Sequence, residues 1–253
     1  MKIAALVLAS ALAFASAPSF AHGNVGSKSC NVHSDWSVRP HRLAFVFSRE
    51  GHVPAEVGIG GGRLFVDGRE QKLGAADHAR IARLEREMHA ALPQLREVVL
   101  EAVDIAFTAL TEVARGLAAE PQRAVADLEQ AHKRVRGQVE RRPLTALDGD
   151  AIGRTIGPII GEFVPQIVGG AVRGALSAAF GGEQKAQDFE KKMQRMEKEL
   201  DAKVELRARE LEPLAEALCQ RMQAMDRIDD ELEYRLPDGG RLELLRVGPR
   251  DKD

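Results

Sequence analysis

The chain has 253 residues, of which 44% are hydrophobic and 29% are charged. This composition excludes a wholly disordered polymer, a collagen-like fibre and a protein with many membrane spans. The formal charge of −2 offers no large basic field, so we expect no nucleic-acid partner. Aromatic residues make up only 4% of the chain, which favours a core of packed helices with aliphatic side chains.

The first 21 residues have the three parts of a secretory signal peptide. Lys2 gives a positive start, residues 3–17 are apolar, and Ser19 and Ala21 are the small residues of a cleavage site. The apolar stretch is shorter than the roughly 20 residues of a membrane span, which argues against the alternative of an N-terminal anchor. We expect cleavage after Ala21, a mature N-terminus at His22, and export.

The chain contains two cysteines, Cys30 and Cys219. In an oxidising compartment an even pair of distant cysteines indicates one disulfide, with two free thiols as the alternative. Such a bridge would join the mature N-terminus to the last long helix. Neither cysteine lies in a C-x-x-C motif, so the spacing does not support a redox-catalytic role.

Residues 22–74 have the pattern of a glycine-rich β region. Residues 43–47 form a short run of β-formers, and residues 64–73 are predicted to form a hairpin around Asp67-Gly68. We interpret the intervening Gly58, Gly60, Gly61 and Gly62 as a flexible connection. They resemble a phosphate loop only in composition, because the G-x-G-x-x-G spacing and a Lys-Ser/Thr pair are missing.

Residues 75–142 are predicted to be helical. Apolar residues recur every three or four positions from residue 75 to about residue 118, and Pro93 should kink or split that helix. A second helix is predicted to begin at Pro121, a favourable first-turn residue, and to end before Pro143.

Residues 143–182 form an apolar segment rich in glycine and proline. Glycines four apart on a helix form a flat stripe that another backbone can approach closely. One interpretation is a surface for lipid or another helix; the other is packing on the protein's own core, as two short helices or a mobile connection, because Pro158 and Pro165 should break a continuous helix. The candidate interaction residues are Gly149, Gly153, Gly157, Ile160, Gly161, Gly169, Gly170 and Gly174.

Residues 183–231 are predicted to form a long charged helix with a narrow, coiled-coil-like apolar seam. Residues 232–253 are predicted to form a hairpin at Pro237-Asp238-Gly239-Gly240 followed by a tail, and this hairpin could add strands to the N-terminal sheet. Together these patterns predict an α+β fold, mostly α, with a small antiparallel sheet, and residues 22–253 as one domain.

The sequence contains few patterns that resemble catalytic or metal-binding motifs. The chain has neither a G-x-S-x-G nucleophile elbow nor an H-E-x-x-H metal motif, and most carboxylates lie beside Lys or Arg on helix faces. We therefore assign no catalytic, cofactor or metal residues. A copper site at His22 with His33, His41 or His52 is a weaker alternative, because the spacing defines no metal geometry.

The order of the features resembles the YggN-like family of uncharacterised periplasmic proteins of Gram-negative bacteria. The resemblance rests on the leader, Cys30-Asn31-Val32, the segment RLFVDGREQKL at residues 63–73, Leu92-Pro93, the glycine-rich middle and Leu218-Cys219-Gln220-Arg221. The hairpin at residues 237–240 departs from the family pattern. The resemblance implies a periplasmic location and carries over no functional residues.

We therefore expect an exported periplasmic protein that is a non-enzymatic binding or structural component of the cell envelope. The alternative is a peripheral membrane protein that acts through residues 149–182, and an enzyme or copper protein is a further alternative. The expected partner is an envelope protein or a membrane surface, and the helices could also support an oligomer.

Overall fold

The computed structural model describes residues 25–27, 30–41, 44–143 and 149–248. The predicted signal peptide, its cleavage site, His22 and the tail 249–253 lie outside these residues. Within them the fold is α+β, mostly α, with small antiparallel sheets, which confirms the predicted class. The helices are α1 (Ala75–Leu117), α2 (Pro121–Arg141), α3 (Gly149–Phe180) and α4 (Glu183–Asp230).

The strands form two separate antiparallel sheets. Five consecutive strands, β3 to β7, pair in chain order as a meander, while β8 pairs with β2 in a three-stranded sheet of order β1-β2-β8. The strands are β1 (Val25–Ser27), β2 (Cys30–His33), β3 (Ser37–His41), β4 (Ala44–Ser48), β5 (Glu56–Gly60), β6 (Arg63–Val66), β7 (Arg69–Glu70) and β8 (Arg246–Gly248).

The five-stranded sheet buries one face, as strand alternation requires. Ile59 and Leu64 are directly paired across β5 and β6, and both are completely buried. They belong to the same core as Ile81 and Leu84 of α1. Burying one such aliphatic side chain stabilises the fold by about 1.5–3 kcal/mol relative to leaving it in water.

The hairpin predicted at Asp67-Gly68 is present. Both residues have positive φ, 45° and 75°, as the tight turn between β6 and β7 requires. The predicted flexible connection is wrong for Gly58 and Gly60, which lie inside β5. Val57 and Ile59 are fully buried and hold this strand in the sheet, and Gly58 lies opposite Phe65 of β6.

Helices α1 and α4 pack against each other in antiparallel directions. As residue numbers rise along α1 they fall along α4: Glu87 pairs with Arg221, and Glu112 pairs with Lys203 at 2.7 Å. In both pairs α1 supplies the acid and α4 the base. The Cys30–Cys219 disulfide is also present, with a Cα–Cα distance of 5.8 Å, and it ties β2 to α4 as predicted.

The prolines do not divide the helices. α1 runs as one helix through Pro93, and α3 runs through Pro158 and Pro165 as one helix of 32 residues. The predicted break at Pro158 and Pro165 is therefore wrong. A proline removes one backbone hydrogen bond and strains one turn, and the many turns on either side can keep a long helix together.

The predicted C-terminal hairpin is much reduced. Only Arg235 and Arg241 form a bridge around the turn, in which Gly239 has a φ of 84°. The chain then leaves the hairpin, and β8 pairs with β2, so strands from the two ends of the described chain share one sheet. We call residues 231–248 the C-terminal segment. Acidic side chains of α1 and α4 accept hydrogen bonds from its backbone. The sequence pattern of the hairpin does not predict these contacts.

The buried apolar residues form two clusters. The first joins the sheets, the N-terminal half of α1, the C-terminal half of α4 and the C-terminal segment. The second lies where α1, α2 and α3 meet, and includes Phe107, Leu128, Val135 and Phe163. The second cluster contains several alanines, which let these helices approach closely.

Candidate functional site

The glycine turn between β5 and β6 is occupied by the protein's own carboxylate. The backbone N–H groups of Gly61 and Gly62 donate to the two oxygens of Glu85, at 2.9 and 2.6 Å. Backbone N–H groups of this kind bind anions in phosphate loops. Here they attach the turn to α1, which agrees with the sequence argument against a phosphate loop.

A buried polar cluster joins α1 to α2. Asp104 is nearly buried and accepts from Arg136, while its other oxygen lies 2.6 Å from Nε2 of His132. The ring of Phe107 stacks on His132 at 4.9 Å. The hydroxyl of Thr108 donates to the backbone carbonyl of Asp104 and is not directed at His132. This arrangement clamps two helices and does not form a nucleophile–base pair.

The structure divides the candidate glycines of α3 into two groups. A Cβ on Gly170 would overlap the carbonyl oxygen of Leu117, and a Cβ on Gly174 would lie 2.9 Å from the ring of Phe189. These two glycines allow α3 to pack against the end of α1 and against α4. Space is open at the second group, which comprises Gly153, Gly157, Gly161 and Gly169.

Gly149 and Ile160, the two remaining candidates, are assigned to neither the packed nor the open group. Gly149 is the first residue of α3, and its surroundings are not described. The side chain of Ile160 also lies outside what the structure describes. Gly170 and Gly174 are therefore packed against neighbouring helices, whereas the other four described glycines have open space beside them.

The last turns of α3 expose a continuous apolar surface. Val172, Leu176 and Phe180 are four residues apart and are 51%, 52% and 86% exposed. Ala175 and Ala179 lie between them on the same face and are also exposed. We call Val172, Ala175, Leu176, Ala179 and Phe180 the apolar ridge. It ends at the turn Gly181-Gly182, beyond which α4 begins and folds back along α3.

The apolar ridge was not predicted from the sequence, because the candidate interaction surface was assigned to the glycines of this segment. The signal was available, since large apolar residues at positions 172, 176 and 180 share one helical face. The neighbouring face carries Ala171, Gly174 and Ala178, which are half-buried. Only the packing shows that the face with Gly174 is turned towards α4 and that Val172, Leu176 and Phe180 face solvent.

Three acidic side chains bind the backbone of the C-terminal segment. Asp77, in the first turn of α1, accepts from the N–H of Glu233. Asp226 of α4 accepts from the N–H of Val247 at 3.1 Å. Asp229 accepts through Oδ2 from the N–H of Leu244 at 2.6 Å and, more weakly, from the next residue. These carboxyl groups replace the partner strand that an irregular segment lacks.

The three acids differ in their pKa. Burial opposes ionisation of Asp77, but hydrogen bonds from Arg80 and from backbone N–H groups outweigh it and lower its pKa. Burial raises the pKa of Asp226, and it raises the pKa of Asp229 to about 7. Oδ1 of Asp229 is buried and has no hydrogen-bond partner. An ionised Asp229 would therefore hold charge without full compensation.

Residues that could ligate a metal are dispersed in the described part of the chain. No three His, Cys, Asp or Glu side chains there form a group that could hold a metal ion. His33 lies in β2, His41 in β3, and His52 in the loop after β4. The remaining residue of the copper alternative, His22, lies outside the described residues.

None of the described helices is both long enough and apolar enough to span a bilayer.

Comparison with known proteins finds a matching family. A family described as "Protein of unknown function (DUF2884)" matches residues 30–245, from the first cysteine through most of the C-terminal segment. No curated protein and no solved structure matches significantly.

Proposed function

The chain belongs to the DUF2884 family of proteins of unknown function, and from that premise we propose that it is an exported, non-enzymatic binding or structural component of the cell envelope. The proposal includes the periplasmic location and the YggN-like assignment. Its support is the signal-peptide pattern of residues 1–21 together with the Cys30–Cys219 disulfide, which is compatible with an oxidising compartment.

The apolar ridge is the observation that carries the binding function. A contiguous apolar surface on a folded protein marks an interaction site more often than scattered single residues do. Covering the side chains of Leu176 and Phe180 with a partner would recover part of the 1.5–3 kcal/mol, roughly, that burying each such side chain contributes. The ridge is presented at the tip of the α3–α4 hairpin, where a partner can reach it.

Two of the buried acids, Asp104 and Glu112, have a structural role in helix packing. Asp104 holds His132 and Arg136, and Glu112 accepts from Arg115 and Lys203. Each acid is engaged by bases from a neighbouring turn or helix. These contacts hold neighbouring helices together, which supports a structural role for both acids.

Peripheral membrane association through residues 149–182 is the second candidate function. It is favoured by the position of Phe180, which is 86% exposed at the tip of a helical hairpin. The 32 residues of α3 also carry few charges, namely Asp150, Arg154, Glu162 and Arg173. An apolar tip of this kind can enter the interface of a bilayer without spanning it.

In-cell photo-crosslinking tests the proposed function. A photo-reactive residue at Leu176 should capture another envelope protein, while the same residue at Gln130, exposed on α2, should not. Capture of lipid at Leu176 and flotation with liposomes would favour the second candidate. Capture of a second copy would indicate an oligomer through the helices. Capture of nothing but the protein's own chain at Leu176 would contradict both functions.

A pair of substitutions separates binding from folding. Phe180→Gln removes apolar surface that is mostly in water, so the free energy of unfolding should change by no more than about 0.5 kcal/mol; Leu176→Gln, at a half-exposed position, should cost about 1 kcal/mol at most. Crosslinking from a photo-reactive residue at Val172 should nevertheless be lost in these variants. Crosslinking that is unchanged would show that the ridge is not the binding surface.

A further inference from the structure

We infer that the C-terminal segment is a pH-sensitive strap, which stays closed while the carboxyl group of Asp229 is protonated and loosens as that group ionises. The inference rests on the contacts between α4 and residues 231–248 and is independent of the proposed function. It assigns a regulatory role to acids that lie away from the apolar ridge.

The strap is attached mainly through its backbone. Leu244 donates its N–H to Asp229, and Val247 donates its N–H to Asp226. On the opposite side, the hydroxyl of Ser34 donates to the carbonyl of Leu244 at 2.6 Å, and Nε1 of Trp36 donates to the carbonyl of Glu243 at 2.8 Å. Around residues 243–247 the contacts to α4 therefore use ionisable groups, whereas the contacts to Ser34 and Trp36 use neutral ones. The beginning of the strap is held by a further acid, Asp77 of α1, through the N–H of Glu233.

Asp229 lies within the apolar core that the strap covers. It is 2% exposed, and Leu232, Leu244 and Leu245 belong to the core cluster around it. Its Oδ2 is satisfied by the strap, but its buried Oδ1 has no partner. A neutral carboxyl group tolerates this site better than a carboxylate, because a buried charge needs full compensation.

The charged groups on α4 reinforce this preference. Asp226 and Asp230 lie within one turn of Asp229, and both negative charges oppose its ionisation. Arg241 of the strap lies 3.9 Å from a carboxylate oxygen of Asp230 and also donates to that residue's carbonyl. Arg241 thereby offsets part of the charge of Asp230.

The other charged groups near this end of the strap act mainly on Asp226. Glu243 raises and Arg246 lowers the pKa of Asp226. Arg246 is itself bound to Glu243, at 2.7 Å, and is also influenced by Asp35. No basic side chain of the described residues forms an ion pair with Asp229. When Asp229 ionises, no directly paired positive charge offsets the cost of its buried negative charge.

Proton linkage determines the direction of the switch. With the strap closed, the pKa of Asp229 is raised to about 7 from its ordinary value of 3.8, and with the strap open the carboxyl group is hydrated. The closed form thus binds the proton more tightly. Its advantage is complete below the ordinary pKa and is lost as the pH rises towards 7. The open fraction should rise up to roughly tenfold per pH unit across that window.

Opening would change a defined part of the surface. β8 would leave the edge of β2, where Val32 pairs with Val247 beside the disulfide-bonded Cys30. Leu244 and Leu245 would leave the core with it. The uncovered β2 edge and the vacated apolar site would both become available to solvent or to another chain.

Hydrogen exchange of the strap amides tests the inference on the purified protein. After correction for intrinsic exchange at each pH, protection of the Leu244, Leu245 and Val247 amides should fall by up to roughly 50-fold between pH 5 and pH 7 and change little above pH 8. In Asp229→Asn the acceptor oxygen remains but its proton equilibrium is gone, so the Leu244 and Leu245 amides should lose most of their pH dependence, while Asp226 still titrates beside Val247.

Asp238→Asn is the matched control. Asp238 is an exposed acid of the same segment that accepts from the N–H of Gly240, and its substitution should leave the pH-dependent loss of protection intact. If hydrogen-exchange protection of the strap amides in the unmodified protein does not depend on pH, that result alone would overturn the inference. The same pH-dependent loss in Asp229→Asn would overturn it as well.

Discussion

The Cα of Gly170 faces the carbonyl oxygen of Leu117 so closely that a side chain at position 170 would overlap it. The contact joins the middle of α3 to the last turn of α1. The backbone nitrogen of Ala119 would lie only 2.8 Å from the same added carbon. Because backbone atoms cannot move aside like a flexible side chain, this position tolerates only glycine.

Gly170→Ala should therefore destabilise the protein. Overpacking costs about 1–3 kcal/mol, and the overlap with a backbone oxygen places the cost near the upper end, above the gain of about 1 kcal/mol in helix propensity from glycine to alanine. Gly169→Ala is the control, because nothing lies within 4 Å of an added Cβ there. In denaturant unfolding, Gly169→Ala should be neutral or stabilising. Equal effects of the two substitutions would show that α3 does not pack here as described.

Asp104→Ala should weaken the attachment of α2 to α1. It leaves Arg136 and His132 without their shared acceptor, and we expect a loss of about 2 kcal/mol, less than for a fully buried pair because both bases are partly exposed. The control is Glu140→Ala, which removes an exposed acid bound to the same Arg136 at 3.0 Å. The control should cost no more than about 0.5 kcal/mol by denaturant unfolding. A similar cost for both would contradict the clamp.

Reduction of the Cys30–Cys219 disulfide should lower the free energy of unfolding. The bridged residues are 189 positions apart, and the chain-entropy model assigns a loop of that length about 5 kcal/mol at most. Unfolding curves with and without a thiol reductant measure the difference. The double variant Cys30→Ser and Cys219→Ser should not respond to the reductant. If complete reduction, verified by thiol titration, leaves the unfolding midpoint unchanged, the bridge does not contribute to stability.

The free energy of unfolding should also depend on Asp229. Since its folded pKa is raised to about 7, the folded state binds this proton more tightly than the unfolded state does. Stability from this group is complete below about pH 4 and falls as the pH rises to 7, by up to about 4 kcal/mol. Subtracting the stability of Asp229→Asn at each pH should isolate this slope. A difference that stays constant from pH 4 to pH 8 would contradict the raised pKa.

Local sequence patterns were enough for α1, α2, α4 and one turn. The start of α2 at Pro121 and the turn at Asp67-Gly68 follow from backbone preferences of single residues, which act without reference to the rest of the chain. The class of the fold follows from periodicity for the same reason. The pairing of Cys30 with Cys219 was predictable because the chain has no other cysteine.

Tertiary contacts decided the conformation of the β5 glycines, of α3 and of the C-terminal segment. They place Gly58 and Gly60 in a strand, because their buried neighbours Val57 and Ile59 outweigh the low β-propensity of glycine. They keep α3 continuous through two prolines, and they turn the C-terminal hairpin into a segment held by carboxyl groups. These outcomes depend on contacts between residues far apart in the chain, for which a local pattern has no signal.

The candidate site shows the same division. By itself the sequence determined that residues 149–180 are apolar, poor in charge and rich in glycine. Only the tertiary structure decided which face of that helix is covered: Gly170 and Gly174 pack against α1 and α4, while Leu176 and Phe180 remain in solvent. The physical reason is that Gly170 and Gly174 let the neighbouring helices approach closely, so the face that carries these two glycines is covered, while Leu176 and Phe180 lie on another face of the helix.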